Sequence, residues 1–220
     1  MKKQYLGDSK DSFKWDYHDF LTSELGYPVL NIFLMMTPDD DSSQGKSKPT
    51  LFRARSEIIG FCTYLRKEKN IDLINELPAR TRGEYRVNLH KPEVYFSNRG
   101  RRSYFQGVSV KENQVVFLDP DNGMQPEKNC SNKHVSYADI SELLRQITSN
   151  SVISVFQHFR RIPFVEDFRN IQSRLSDDCF ATALYWNFLM FVIISRSKET
   201  IAKVKQANSL YAANKPLTAI

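Results

Sequence analysis

The chain has 220 residues, of which 41% are hydrophobic and 25% charged, a composition that builds one sizeable core and excludes a disordered or fibrous chain. Its three cysteines, Cys62, Cys130 and Cys179, are odd in number, far apart and in no CxxC pairing, which argues against a disulfide framework or structural zinc and points to a reducing cytoplasm. The formal net charge is +6 with a pI near 9.2, so an acidic partner such as nucleic acid is expected.

The first residues hold two lysines with no apolar run behind them, so a signal peptide is not expected. A polar turn at 5–11 contains Gly7 and leads into Phe13, Tyr17, Phe20 and Leu21 at helical spacing, with Asp11 as the expected N-cap. Lys14, Trp15, Asp16, His18 and Asp19 fill the other positions, so the pattern predicts a helix with one apolar and one charged face. That face is either merely wet or a contributor of Lys14 and His18 to a site.

Residues 28–36, PVLNIFLMM, form the first strong strand, whose near-continuous apolarity suits a centre buried on both sides. It runs into Thr37-Pro38-Asp39-Asp40-Asp41, an acidic strand end, and then into a loop at 42–49 of the kind that closes over a ligand. Ile58, Ile59, Phe61, Cys62 and Leu65 recur at helical intervals within 53–67. Between 70 and 106 the pattern predicts short strands and turns around a basic, aromatic stretch. There Arg80, Arg82, Arg86, Lys91, Arg99, Arg101 and Arg102 interleave with Tyr85, Tyr95, Phe96, Tyr104 and Phe105. Such interleaving suits phosphate contact with base stacking, or else a half-buried hairpin with its aromatics inward and its arginines in water.

The organising segment is 113–124. Val115, Val116, Phe117 and Leu118 read as a buried strand, and Asp119-Pro120-Asp121-Asn122-Gly123 as the turn that ends it. In open α/β sheets ligands bind at the carboxyl ends of the strands, so the two carboxylates mark a candidate crevice, while Pro, Asn and Gly also fit a plain turn. Ser136 and Asp139 signal a capping box ahead of Ile140, Leu143, Leu144 and Ile147. Residues 152–156 form another buried strand with Gln157-His158 at its end. Then come a short helix at 165–175, two strands at 179–186 and 188–195 split near Asn187, and a terminal helix at 199–212. The apolar run 180–195 falls short of the roughly 20 residues that a membrane-spanning helix needs.

Strands alternating with helices, followed by a late antiparallel strand pair, predict an α/β fold over 1–220: a single Rossmann-like domain, its mostly parallel sheet covered by helices on both faces, with a basic aromatic insertion around 78–110.

The order of YLGDSKDSFKWD, an apolar strand, VVFLDPDNG and VISVFQH resembles the large-subunit rRNA adenine methyltransferases, a Rossmann-like family with an N-terminal Gly-Asn…Asp…Lys-His pattern and a fourth strand ending in Asp-Pro-Pro-Tyr. On that resemblance Gly7, Asp11 and Lys14 stand for the N-terminal pattern, and Asp119 and Pro120 for the catalytic one. It implies S-adenosylmethionine as cofactor, with Asp8, Asp11, Thr37 and Asp39 as binding candidates and Lys14, Asp119, Pro120, Asp121 and Asn122 as catalytic candidates, to which His158 is added from its place at the end of a strand beside two acidic strand ends. It also implies a nucleic acid or nucleotide partner, for which Arg80, Arg82, Arg99, Arg101 and Arg102 are the candidates. In the family the carboxylate and a backbone carbonyl accept hydrogen bonds from the target amine while the aromatic stacks on the flipped base. Asp121 and Asn122 stand here where Pro and the aromatic would be, and the first strand runs into an acidic segment rather than a glycine-rich turn. Two other readings stay open: a magnesium-dependent nuclease or nucleotide hydrolase using Asp39, Asp119 and Asp121, and a non-catalytic binding module.

Overall fold

The computed structural model describes residues 1–41, 47–108 and 111–220. In chain order the helices and strands are α1 (Ser9–Glu24), β1 (Val29–Phe33), α2 (Ser56–Glu68), α3 (Leu77–Thr81), β2 (Arg86–Leu89), α4 (Arg101–Tyr104) and β3 (Gln114–Leu118). They continue through β4 (Gly123–Met124), β5 (His134–Val135), α5 (Tyr137–Gln146), β6 (Val152–His158), α6 (Phe164–Gln172), β7 (Phe180–Trp186), β8 (Leu189–Ser195), α7 (Lys198–Ala212) and β9 (Thr218–Ala219).

Seven of the strands form one sheet in the order β2-β1-β3-β6-β8-β7-β9. The β2-β1-β3-β6 half is parallel, β8 is antiparallel to both of its neighbours, and β9 closes the far edge antiparallel to β7. Both faces are covered, which is why the central strands are apolar throughout instead of alternating. Leu30, Ile32, Val115, Phe117 and Phe156 pack beneath α1, α2 and α7, while Phe33, Val116, Leu118, Ile153 and Val155 pack beneath α4, α5 and α6. The expected parallel neighbours at 32–33, 116–117 and 153–155 are therefore buried side by side. No helix among the described residues is long and apolar enough to cross a membrane.

Three local expectations change. Asp8, not Asp11, caps α1, accepting hydrogen bonds from the Lys10 and Asp11 amides at 2.8 and 3.0 Å. Asp11 instead accepts the Gly7 amide at 2.8 Å. Gly7 needs its positive φ of 77°, and a Cβ there would stand 2.2 Å from the Cys62 carbonyl oxygen. Second, α1 has no wet face. Most of it is packed against α2, α3, α7 and the sheet, so Asp11, Lys14, Asp16, His18 and Asp19 are buried with partners while Lys10 is half-buried at a strand-end cavity and Glu24 is exposed: Arg55 donates to Asp16 and Asp19, both at 2.7 Å, and Tyr211 donates to Asp16 at 2.6 Å. Third, 70–106 holds one strand and several short helical turns rather than a series of strands. Its strand β2 is an edge of the main sheet, and Tyr85, Phe96, Tyr104 and Phe105 are core residues. The capping box at Ser136 and Asp139 forms as expected.

Candidate functional site

The carboxyl ends of β3 and β6, the first turn of α1 and the β7-β8 hairpin enclose a cavity of about 690 Å³. Strand ends of a parallel sheet open there because the connecting loops part.

Asp119 extends β3, its amide donating to the Phe33 carbonyl at 2.9 Å. Lys14 comes up from α1 beside it, and its Nζ donates to Asp119 Oδ2 at 2.8 Å and Asp11 Oδ1 at 3.2 Å. The ammonium also lies 4.6 Å from the centre of the Phe156 ring. Burial alone would pull the Lys14 pKa down, but Asp119 and Asp11 outweigh it and hold it above the ordinary lysine value. Asp11 sits behind the lysine, outside the cavity wall, and burial pushes its carboxyl up to about 6 against the pull of Lys14.

Asp121 faces the same space. It meets the Met1 nitrogen at 3.0 Å and accepts from the Thr37 hydroxyl at 2.8 Å. Burial opposes its ionisation, and the Met1 amino group and Thr37 outweigh that to hold it below the usual aspartate value. The Met1 nitrogen also donates to the carbonyls of Leu34 and Met35, both at 3.1 Å, and of Asp119 at 3.2 Å. The pentapeptide is thus a tight turn and a cavity wall at once. Gly123 takes φ 120°, where a Cβ would meet Gln157 Oε1 at 2.1 Å, and that oxygen accepts the Met124 amide at 2.8 Å.

Pro120, Asn122, His158 and Asp8 complete the expected residues in the lining. His158 is a neutral imidazole: burial, with Lys10 and Lys14 nearby, pushes its pKa down to about 3. Gln157 turns away to hold Met124 and Asp167. Asp39 is not in the cavity. Its carboxylate caps the Gln4 amide at 3.0 Å, and Asp40 pairs with Lys2. His18 is likewise structural, donating from Nδ1 to the Lys14 carbonyl at 2.7 Å and accepting from the Ser154 hydroxyl at 2.9 Å. Among the described residues no group of three His, Cys, Asp or Glu side chains could hold a metal ion. Most of the loop expected at 42–49, including Gly45, lies outside the described residues.

The arginine stretch is elsewhere. Arg101 is an internal brace, donating to Asp139 and to the carbonyls of His134 at 3.1 Å and Ser131 at 2.9 Å. Arg80 pairs with Glu76 at 2.6 Å and covers the Tyr64 ring, while Arg82, Arg99 and Arg102 are exposed. None of the five lines the cavity.

Sequence reading missed Lys10, Lys133, Leu51, Trp186 and Phe188, all of which do. Lys10 was discoverable, since it stands one helical turn before Lys14 and so shares its face. Lys133 and the hairpin arrive only through tertiary packing. Compared with known proteins, the chain matches no family model and no curated sequence.

Proposed function

We propose that the chain is a Rossmann-like, methyltransferase-like enzyme that methylates an amino group of a nucleobase with S-adenosylmethionine. The observation that carries this reading is the Lys14 ammonium bridging Asp11 and Asp119, residues 105 positions apart from lysine to strand end, because it joins the two motifs on which the resemblance rests. The sheet supports it as well, with a parallel half followed by a late antiparallel hairpin whose second strand, β8, is inserted beside β6.

The Asp121 carboxylate and the Leu34, Met35 and Asp119 carbonyls are taken by the Met1 ammonium, so the ammonium that S-adenosylmethionine carries would reach this acceptor set only by displacing that amino group. With the Met1 amino group displaced, Asp121, steadied by the Thr37 hydroxyl, and the Leu34 and Met35 carbonyls would hold it, with Asp8 on the cavity wall. When bound, the cofactor supplies an electrophilic methyl group. Asp119 Oδ and its carbonyl accept hydrogen bonds from the target amine, orienting its lone pair. Lys14 fixes the carboxylate, and the proton of the methylated amine leaves to water, since His158, the imidazole in the cavity lining, is pushed down to about 3 and is too weak a base to keep it.

The metal-dependent reading has less support, since Asp39 is turned away, Asp119 is paired with Lys14, and no group of three His, Cys, Asp or Glu side chains among the described residues could hold a metal ion. A heat-shift comparison separates the readings. S-adenosylmethionine and its demethylated product should raise the melting temperature, as any ligand of the folded state does, and magnesium should not. Asp119→Asn should abolish methyl transfer to adenine-containing oligonucleotides while keeping the cofactor response. A magnesium response lost in both Asp119→Asn and Asp121→Asn, with none to S-adenosylmethionine, would overturn the proposal.

A further inference from the structure

Methylating a base held out of its stack requires a flat surface against that base, and position 122, where the resembling family has an aromatic, is Asn here. Tyr5, Phe156 and Trp186 also line the cavity, but each has a face taken: Lys2 lies 5.7 Å from the centre of the half-buried Tyr5 ring. Phe156 has Lys14 over its ring at 4.6 Å and His158 edge-on at 4.9 Å. Trp186 is wedged against Phe13 and Phe52, with ring centres 5.9 and 5.0 Å away.

Phe188 differs. It lines the cavity yet is 68% exposed, and among the described residues the one ring against it is Phe159, itself 39% exposed, tilted 57° at 5.8 Å. Single exposed apolar side chains are common on protein surfaces, but this one is exposed at a cavity wall with a second exposed ring, Phe159, against it. Leu51, 65% exposed, lines the same cavity and adds a second apolar wall. The hairpin holding Phe188 is tight. Trp186 pairs with Leu189 across a two-residue turn in which Asn187 takes φ 51°, and the Phe188 carbonyl is pinned by the Phe159 amide at 2.9 Å. The ring is therefore presented by a rigid element rather than a loose loop.

Charge selects the occupant. Lys10 and Lys133 line the cavity, and among the described residues neither makes an ion pair, whereas Lys2 is paired with Asp40, and Lys14 with Asp11 and Asp119. Cations beside an accessible aromatic suit a single strand, whose phosphates take the cations while one base stacks on the ring.

We propose that Phe188 is the stacking platform for the target base of a single-stranded nucleic acid, with Lys10 and Lys133 holding its flanking phosphates. This rests on the methyl-transfer reading for the role of the base and locates the aromatic that Asn122 does not provide.

The test uses single-stranded DNA and RNA about ten nucleotides long, with either adenine or an abasic residue at the centre, and measures affinity by fluorescence anisotropy at low salt. Wild-type protein should prefer adenine over the abasic strand. Phe188→Ala should lose roughly 5- to 100-fold for adenine and erase that preference, and Phe188→Trp should keep it and show indole quenching on binding. Lys10→Ala and Lys133→Ala should weaken both strands alike. Equal affinity of Phe188→Ala and wild type, or no binding of either polymer at low salt, would overturn the proposal. Because the ring is exposed, these variants should fold. Stabilisation by S-adenosylmethionine, measured on the same proteins, keeps the two proposals apart: base-dependent binding through Phe188 without a cofactor response removes methyl transfer alone, and a cofactor response without a Phe188 effect removes the platform alone.

Discussion

Lys14 is held in a site 5% exposed, between two carboxylates and against an aromatic ring. Charges so placed are stable only together, because each alone would carry its full desolvation cost. Lys14→Met should therefore lower unfolding free energy by about 3–5 kcal/mol in urea titrations, and Lys14→Met with Asp119→Asn should recover part of that loss. The buried imidazoles set the acid response. His18 and His158 are both pushed down to about 3 by burial. Once unfolded they take up a proton near pH 6.5, so their contribution to stability is complete above that pH and is lost as pH falls toward 3. Asp11 runs the other way. Raised to about 6, it contributes stability below the ordinary aspartate range that is lost as pH rises through 6. His90, His134, Asp16 and Asp121 are shifted down as well, so the lowered groups outweigh Asp11 and the urea midpoint should fall from pH 7 to pH 4. His158→Asn should flatten that fall, and Asp11→Asn should steepen it.

At the scale of elements, the site depends on how α1 begins and how β3 ends. The Asp8 cap and the Asp11 bond to Gly7 place Lys10 and Lys14 over the strand ends. Gly7→Ala would drive a Cβ into the backbone of α2 at a positive φ, so it should cost more than about 1 kcal/mol and reduce cofactor stabilisation together with melting temperature. Ser136→Ala, which removes half of the capping box on α5, should cost about 1 kcal/mol in thermal unfolding and leave ligand responses unchanged, because α5 does not line the cavity. The helix α1 also shows why a charged pattern misleads. Asp16, His18 and Asp19 resemble a solvated face in one dimension, yet each has a partner from another segment: Arg55 and Tyr211 for Asp16, Ser154 for His18, and Arg55 and Tyr85 for Asp19.

Over the whole molecule, the positive charge is divided between bracing and presentation. Arg101 braces α5 and the β5 region, so Arg101→Ala should lower the melting temperature. Lys10 and Lys133 face the cavity, so replacing each with Ala should flatten the plot of log affinity against log salt for a single strand by about 0.7. Arg99→Ala and Arg102→Ala should leave that slope unchanged, since neither lines the cavity.

The parallel core, the late antiparallel pair and the order of elements outside 70–106 and the short strands β4, β5 and β9 were legible in the chain itself, because periodicity follows directly from which faces an element buries. The apolar runs around Ile32, Val116 and Ile153 could be satisfied only between two layers of helices, and DPDNG could only turn the chain at a strand end. Asp119, Asp121 and His158 were readable as candidates because strand ends in such sheets share one edge, and Lys14 because it stood on the charged face of α1. Partner choice was not readable. That Asp39 would cap Gln4, that Arg101 would be consumed by Asp139, and that Phe188 would stand exposed beside Lys10 are matters of distance between segments far apart in the chain. A charge reads the same in sequence whether it meets water, an opposite charge or a ligand; only tertiary packing, which sets what it is desolvated against, decides which of these it does.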